Sequence, residues 1–247
     1  MSELVVWMDD GSPHSPRFND RYRSRTGGLA QACTVFLAGC DLPQRWCGRT
    51  QFTVLETGFG LGLNFLTTWA VWEPDTQRCN SLNFVSVEAY PVSASDILRN
   101  VHAHDSASEQ TPALLERVQV LAQELVKAWQ NLSPGIHQLH FAGGRVNLTL
   151  AVGDVLPMLK SLDHVADAVY LDGFSPNLNP EMWSASTLQE IANHCRAGTT
   201  LASYCVALHV REALKQYGFG VKKCPGLPPK RHRLEAIFLP SLVDERT

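Results

Sequence analysis

The sequence predicts an α/β protein organised around a doubly wound, mostly parallel sheet. Three observations carry that reading. An apolar run at 52–55 closes on Glu56, glycines follow at 58, 60 and 62, and apolar helical spacing begins at once with Leu63, Phe65 and Leu66. Two further β-rich runs, 83–87 and 168–171, also end on acids, Glu88 and Asp172. Last, a helix-like stretch at 206–217 is followed by two strand-like stretches at 219–223 and 234–239, which suits an antiparallel end to the sheet.

Strand, tight turn, helix is the corner at which such sheets bind ligands. Glycine permits the positive φ angles and close backbone approach that a nucleotide-like ligand requires. The dinucleotide fingerprint G-x-G-x-x-G needs a third glycine at 63, where Leu63 stands, so a nicotinamide dehydrogenase is disfavoured. A glycine-rich turn serving some other ligand stays open on spacing alone.

The 247 residues, 45% hydrophobic, suffice for one sizeable core. A formal net charge of -3 argues against wholesale electrostatic binding of nucleic acid but leaves room for a local basic patch. No apolar run approaches the ~18 residues that span a bilayer, and the N-terminus lacks the basic-then-apolar pattern of a secretory signal. With seven cysteines, an odd number, and no signal, reduced thiols and a cytoplasmic location are expected. Cys33, Cys40 and Cys47 recur every seven residues, unlike zinc spacing, and His102 and His104 beside Asp105 read as surface residues. No metal and no membrane partner are expected.

Taken in order, residues 1–50 do not form a βαβ unit and read as an N-terminal cap segment ahead of a domain at 51–247. Turn-rich 10–16 precedes Phe18-Asn19-Asp20-Arg21-Tyr22, whose mixed aromatics and charges suit either a packed cap or the mouth of a site. A helix over 62–72 stops near Glu73-Pro74. Glu88 closes the second strand, where this fold class hydrogen-bonds ribose hydroxyls, although a solvated strand-end glutamate has the same sequence. A helix at 91–101 is followed by Leu114, Leu115, Val118, Leu121, Leu125, Val126 and Trp129, an amphipathic stripe on one helix. Segments 136–141 and 146–152 alternate around a glycine turn as a hairpin. Asp154 then either contacts an adenine or caps the helix beginning near Val155. The loop after Asp172 carries Phe174, Pro176, Pro180 and Trp183, and a helix at 182–195 and a strand at 200–204 follow. Between the last two strands lies Pro228-Pro229-Lys230-Arg231-His232-Arg233, a basic loop that suits phosphate contacts or a solvated hairpin turn.

Glu56-Thr57-Gly58-Phe59-Gly60-Leu61-Gly62 resembles the first motif of the class I S-adenosyl-L-methionine (SAM) methyltransferases, which have a Rossmann-like, seven-stranded sheet. More specifically, the chain resembles the methyltransferase half of the MnmC family of tRNA wobble-uridine modification enzymes and its free-standing MnmD-like relatives. The matching segments run through Phe18–Tyr22, the glycine turn to Leu66, and Glu88-Ala89-Tyr90-Pro91. Gly144-Arg145-Val146, Leu171 to Pro176, Asn179-Pro180-Glu181-Met182-Trp183 and Lys230-Arg231 complete them, in family order and over nearly the whole chain. The Leu-Asp-Gly-Phe to Asn-Pro-x-Met-Trp block is the most specific. Departures stand at Asn19, Leu61 and Leu178, where the family usually has aspartate, threonine and lysine.

The resemblance implies SAM as cofactor, held by Glu56, Gly58, Phe59, Gly60, Gly62, Asn64, Glu88, Asp154 and Asp172. It implies N-methylation of 5-aminomethyl-2-thiouridine in the tRNA anticodon loop, with Asp172 as the catalytic carboxylate that orients or deprotonates the amine. Asp20, Tyr22, Phe174, Pro176, Trp183, Lys230 and Arg231 would meet the substrate, Phe174 and Trp183 by stacking on a flipped base. No oxidase half follows Thr247, so separate chains are expected to supply the aminomethyl precursor. A methyltransferase for a small-molecule or protein amine is the rival reading, and a non-catalytic RNA-binding module is a weaker one.

Overall fold

The computed structural model describes residues 2–23, 27–103, 112–130 and 132–240. His104 and Asp105, singled out above, lie outside the described residues.

Alternation along the first core strand sets the layering. In β4 (Gln51–Thr57), Phe52 and Val54 enter one apolar cluster and Leu55 enters another on the opposite face. It is numbered β4 because three short antiparallel strands precede it: β1 (Val6–Trp7), β2 (Pro13–Ser15) and β3 (Asp20–Arg21). Between them and β4, α1 (Gly28–Gln31) continues into wider π-helical turns at Ala32–Leu37. Leu29, Val35, Phe36 and Trp46 of this N-terminal region are buried in the same cluster as the sheet's first face.

The glycine turn leads into α2 (Leu63–Trp72), whose N-cap is Gly62 with φ 74°, a left-handed conformation that disfavours a side chain. Then come β5 (Ser81–Glu88), α3 (Ala94–His102) and α4 (Pro112–Ala128). Ser93 caps α3 by accepting a hydrogen bond from the Asp96 amide (3.1 Å). The α4 stripe is buried as its spacing requires, at Leu114, Val118, Leu121 and Leu125.

The hairpin forms from β6 (Gly135–Phe141) and β7 (Val146–Val152), followed by α5 (Val155–Ser161) and β8 (Ala166–Leu171). The chain ends with α6 (Ala185–Asn193), β9 (Cys195–Ser203), α7 (Leu208–Gln216), β10 (Phe219–Pro225) and β11 (His232–Phe238). The central sheet has eight strands in the order β10-β11-β9-β8-β4-β5-β7-β6, one more than the seven expected. The extra strand is β6, which pairs antiparallel with β7 and occupies the sheet edge. Pairs among β4, β5, β7, β8 and β9 are parallel, whereas β9–β11 and β10–β11 are antiparallel.

Because β4 leads to β5 on one side and pairs with β8 on the other, the strand order reverses at β4. A crevice opens at the carboxyl ends of such strands. Polar grip at the opposite end keeps those strands in register: buried Asp167 accepts from the Thr53 amide (2.9 Å) and pairs with Arg49 (2.9 Å) and Arg196. Phe65 anchors the first face, with ring centroids 5.2 Å from Phe84, 5.8 Å from Trp69 and 6.0 Å from Phe141. The seven cysteines are free thiols. Among the described residues, no helix is long and apolar enough to cross a membrane, and no three His, Cys, Asp or Glu side chains could hold a metal ion.

Candidate active site

A cavity of about 310 Å³ opens at the crevice, within the size range of small-molecule sites. Gly58, Glu88, Asp172 and Tyr204, from the carboxyl ends of β4, β5, β8 and β9, all line it. Gly58 has φ 84°, and a Cβ there would meet the Gly173 Cα at 3.3 Å, so the turn and the β8 loop run backbone to backbone. Thr57 sews the two together: its hydroxyl donates to the Asp172 carbonyl (2.7 Å) and accepts from the Asp172 amide (3.1 Å).

Glu88 accepts from the Gly60 amide through one oxygen and from the Tyr90 amide through the other, both at 2.8 Å. Burial nonetheless pushes its carboxyl above the ordinary range. Asn64, on the first turn of α2, donates from one amide nitrogen to Glu56 Oε1 (3.0 Å) and to Asp172 Oδ2 (2.9 Å). Glu56 is fully buried and also accepts from the Ser86 hydroxyl (2.7 Å). Desolvation first, and then the nearby Asp172, push the Glu56 carboxyl up to about 8. Desolvation also raises Asp172, to about 6, against the pull of the Gly173 amide, Asn64 and Lys230. Of the two, Glu56 is raised further and holds its proton more tightly than Asp172.

The mouth is aromatic. Phe18 stacks on Phe174 (4.7 Å), Tyr22 meets Phe174 edge-on (5.0 Å), and Arg17 lies 4.0 Å over the Tyr90 ring. Asp20 fixes this N-terminal strap to the β8 loop by accepting from the Ser175 amide (2.9 Å). Across the mouth, the Lys230 ammonium sits 3.5 Å from the centroid of the Tyr204 ring, whose hydroxyl donates to the Gly173 carbonyl.

A family model described as an S-adenosyl-L-methionine-dependent methyltransferase matches residues 116–238. The chain is 52% identical over 98% of its length to the tRNA 5-methylaminomethyl-2-thiouridine biosynthesis bifunctional protein MnmC of Delftia acidovorans, and covers 36% of that protein. Against the protein of the same name from Paracidovorax citrulli it is 53% identical, with the same coverage of each chain. The chain belongs to the S-adenosyl-L-methionine-dependent methyltransferases. It spans about a third of the length of these curated relatives. The crystal structure of MNMC2 from Aquifex aeolicus superposes with a TM-score of 0.72 at 21% identity, covering 99% of this chain and 74% of that one, which extends the likeness to the fold.

The cavity fits the methyltransferase cofactor. Along Gly58 and Gly60 the wall is bare backbone at positive φ (84° and 53°), so a ligand can lie directly against it. Each Glu88 oxygen accepts from a backbone amide and has a second lone pair with which it could accept from a ligand hydroxyl.

Ten of the residues expected from sequence line this methyltransferase cavity: Asp20, Tyr22, Gly58, Phe59, Gly60, Asn64, Glu88, Asp172, Phe174 and Lys230. Six do not. Glu56 lies behind Asn64, and Gly62 packs under Phe59. Asp154 stands at the N-cap of α5 but makes no side-chain cap bond there, and it is exposed outside the wall. Pro176 and exposed Arg231 also lie outside it. Trp183 corrects the stacking expectation: it is 1% exposed, and its indole N–H donates to the Phe174 carbonyl (2.7 Å). It holds Phe174 in place and offers no free face to a base. Sequence reasoning missed Tyr204, although its place one residue past β9 is the signal that marked Asp172. Glu3, Arg23 and Asn100 also line the cavity, and nothing in their sequence neighbourhood announces it.

Proposed function

We propose that this chain methylates the primary amine of a 5-aminomethyl(-2-thio)uridine at the wobble position of tRNA. The observation that carries the reading is the Asp172 carboxyl lining the same cavity as Phe174, with its backbone bonded to Thr57 at the start of the glycine turn. Its support from outside is identity above 50%, over 98% of the chain, to proteins whose names give a tRNA uridine modification.

When bound, SAM supplies a methyl group already activated for in-line displacement. Alignment is thus the main task of the protein. Glu88 would hold the ribose and the backbone at Gly58 and Gly60 would flank the cofactor. An alkylammonium has no lone pair, so it must lose a proton before attack, and Asp172 is the group placed to attract it and accept that proton. Phe174, braced by Trp183 and flanked by Phe18 and Tyr22, would take one face of the base. Residues 1–50 would serve as a cap over this site. Arg231, exposed beside the mouth, suits a phosphate of the anticodon loop.

The test is transfer of labelled methyl from SAM to tRNA carrying 5-aminomethyl-2-thiouridine, with tRNA lacking that side chain as control. Label in the first alone is the expected result. Label on free amines without tRNA would favour a small-molecule or protein substrate instead, and label in neither RNA would overturn the reading.

A further inference from the structure

Lys230 belongs to the basic loop that the sequence assigns to phosphate, yet its ammonium does not face outward like Arg231. It lines the cavity, seated 3.5 Å from the Tyr204 ring centroid. Among the described residues no carboxylate lies within ion-pair distance of it, so the aromatic face, and not a counter-ion, fixes its position. Tyr204 in turn is fixed, because its hydroxyl donates to the Gly173 carbonyl and its ring meets Trp183 edge-on at 6.0 Å. The same Gly173 donates its amide to Asp172 Oδ1 (2.9 Å). A rigid chain of contacts therefore holds the Lys230 cation and the Asp172 carboxyl on a shared wall.

That arrangement is unhelpful for binding a cationic substrate and useful for reacting with a neutral one. The two effects can be weighed. An alkylammonium holds its proton to about pH 10. Asp172 accepts one only to about pH 6, so the carboxylate alone faces a steep uphill transfer. A second cation nearby disfavours the ammonium form and so raises the share of free amine at a given pH, the device by which neighbouring cations activate amine nucleophiles, although the same cation also holds Asp172 down. We propose that Lys230 is a catalytic residue that promotes deprotonation of the substrate amine by charge repulsion, with Asp172 receiving the proton and the Tyr204 ring holding the ammonium of Lys230 in place. The N–H bond of the substrate ammonium breaks, its electron pair stays on nitrogen as the nucleophile, and the proton passes to the Asp172 carboxylate. The inference rests on the amine reading above and assigns the phosphate role to Arg231.

The charged and titratable groups facing Lys230 are Asp172 from the end of β8, Asp20 from the N-terminal strap, and Cys205 and Tyr204 after β9. Burial lowers the Lys230 ammonium, whereas Asp172, Cys205 and Asp20 oppose that shift. Removing Lys230 would raise both the substrate ammonium and Asp172, so the two effects move the pH profile in one direction.

The experiment compares single-turnover methyl transfer to aminomethyl-uridine tRNA across pH 6–9 for the full chain and for K230M, K230R and R231M. Beside it, calorimetry in buffers of different ionisation enthalpy counts the protons released when 5-aminomethyluridine nucleoside binds. K230M should move the half-maximal pH up by about one unit, which is about tenfold in rate at pH 7, with the deficit closing toward pH 9. It should also release fewer protons on nucleoside binding, and K230R should restore both. R231M should weaken tRNA binding without moving the profile. A K230M enzyme with weaker tRNA binding but an unmoved pH profile and unchanged proton release would overturn the inference in favour of a phosphate contact. No transfer to tRNA by the wild-type enzyme, with proton release on nucleoside binding still dependent on Lys230, would overturn the tRNA reading and support the role of Lys230.

Discussion

Asp172 concentrates the chemistry in one side chain, and its hydrogen bonds make the consequence of changing it calculable. Both oxygens are acceptors, one from Gly173 and one from Asn64. In Asp172→Asn one of them becomes a donor facing a donor, which costs about 1 kcal/mol of stability. The larger loss is the base itself. Methyl transfer should fall about 10²- to 10⁴-fold while SAM affinity stays within a few-fold, read by label transfer and by calorimetry. The wild-type rate should also fall as pH drops below about 6, where Asp172 becomes protonated, and this limb should be missing from the residual activity of the variant. Normal turnover in Asp172→Asn would remove the residue from the mechanism.

At this scale the sequence was legible where chemistry and strand position coincide. Asp172 and Glu88 are acids at carboxyl ends of parallel strands, and both line the cavity. Trp183 was misread because composition reports a ring but not which of its faces is free. Glu56 was misread for a related reason. An acid on a strand points to one face or the other, and here it points behind Asn64, where the cofactor cavity does not reach.

Among the elements, the β4–α2 corner carries the strictest demands. Gly62 is both the N-cap of α2 and the floor beneath Phe59: a Cβ there would come within 2.9 Å of the Phe59 ring, which itself stacks 4.9 Å from Trp129. Left-handed strain and overpacking act together, so Gly62→Ala should destabilise the fold by about 2–3 kcal/mol, measured by chemical denaturation. SAM binding should weaken as well, because Phe59 lines the cavity. A change below half a kcal/mol would show that the ring moves aside freely. The core elements were readable because their periodicities are strong: the α4 stripe, the β6–β7 alternation and the Glu73-Pro74 stop all stand near their expected places. The short strands β1–β3 were not. Two- and three-residue strands have no period to detect, and contacts between separate parts of the segment, such as the Ser15 hydroxyl of β2 donating to Glu3 (2.9 Å), tie them down.

For the whole molecule, the buried acids set how stability answers pH. Glu56 is raised in the folded protein from 4.5 to about 8, so the folded state binds a proton that the unfolded chain has released between those values. Stability contributed by this group is therefore fully present below about pH 4.5 and is lost as pH rises toward 8. Glu56→Gln keeps an acceptor for Asn64, reverses the Ser86 bond so that the hydroxyl accepts from the new amide, and removes the titration. The variant should lose less Tm than the wild type between pH 5 and pH 8, and an unchanged slope would mean that Glu56 does not titrate with folding. The eighth strand is the feature of the whole that the family expectation missed. The hairpin was visible in the alternation, but nothing local says whether a hairpin's outer strand joins the main sheet, and here β6 does so through its pairing with β7.

The tie between Asp20 and the Ser175 amide joins positions 155 residues apart in sequence across the mouth of the cavity. A proton locked in that bond exchanges with solvent only when the strap lifts. The Ser175 amide is thus a built-in clock for entry and exit: under conditions where exchange outpaces reclosing, its exchange rate counts openings of the mouth. Comparing that rate with turnover would tell whether the enzyme waits on chemistry or on its own door.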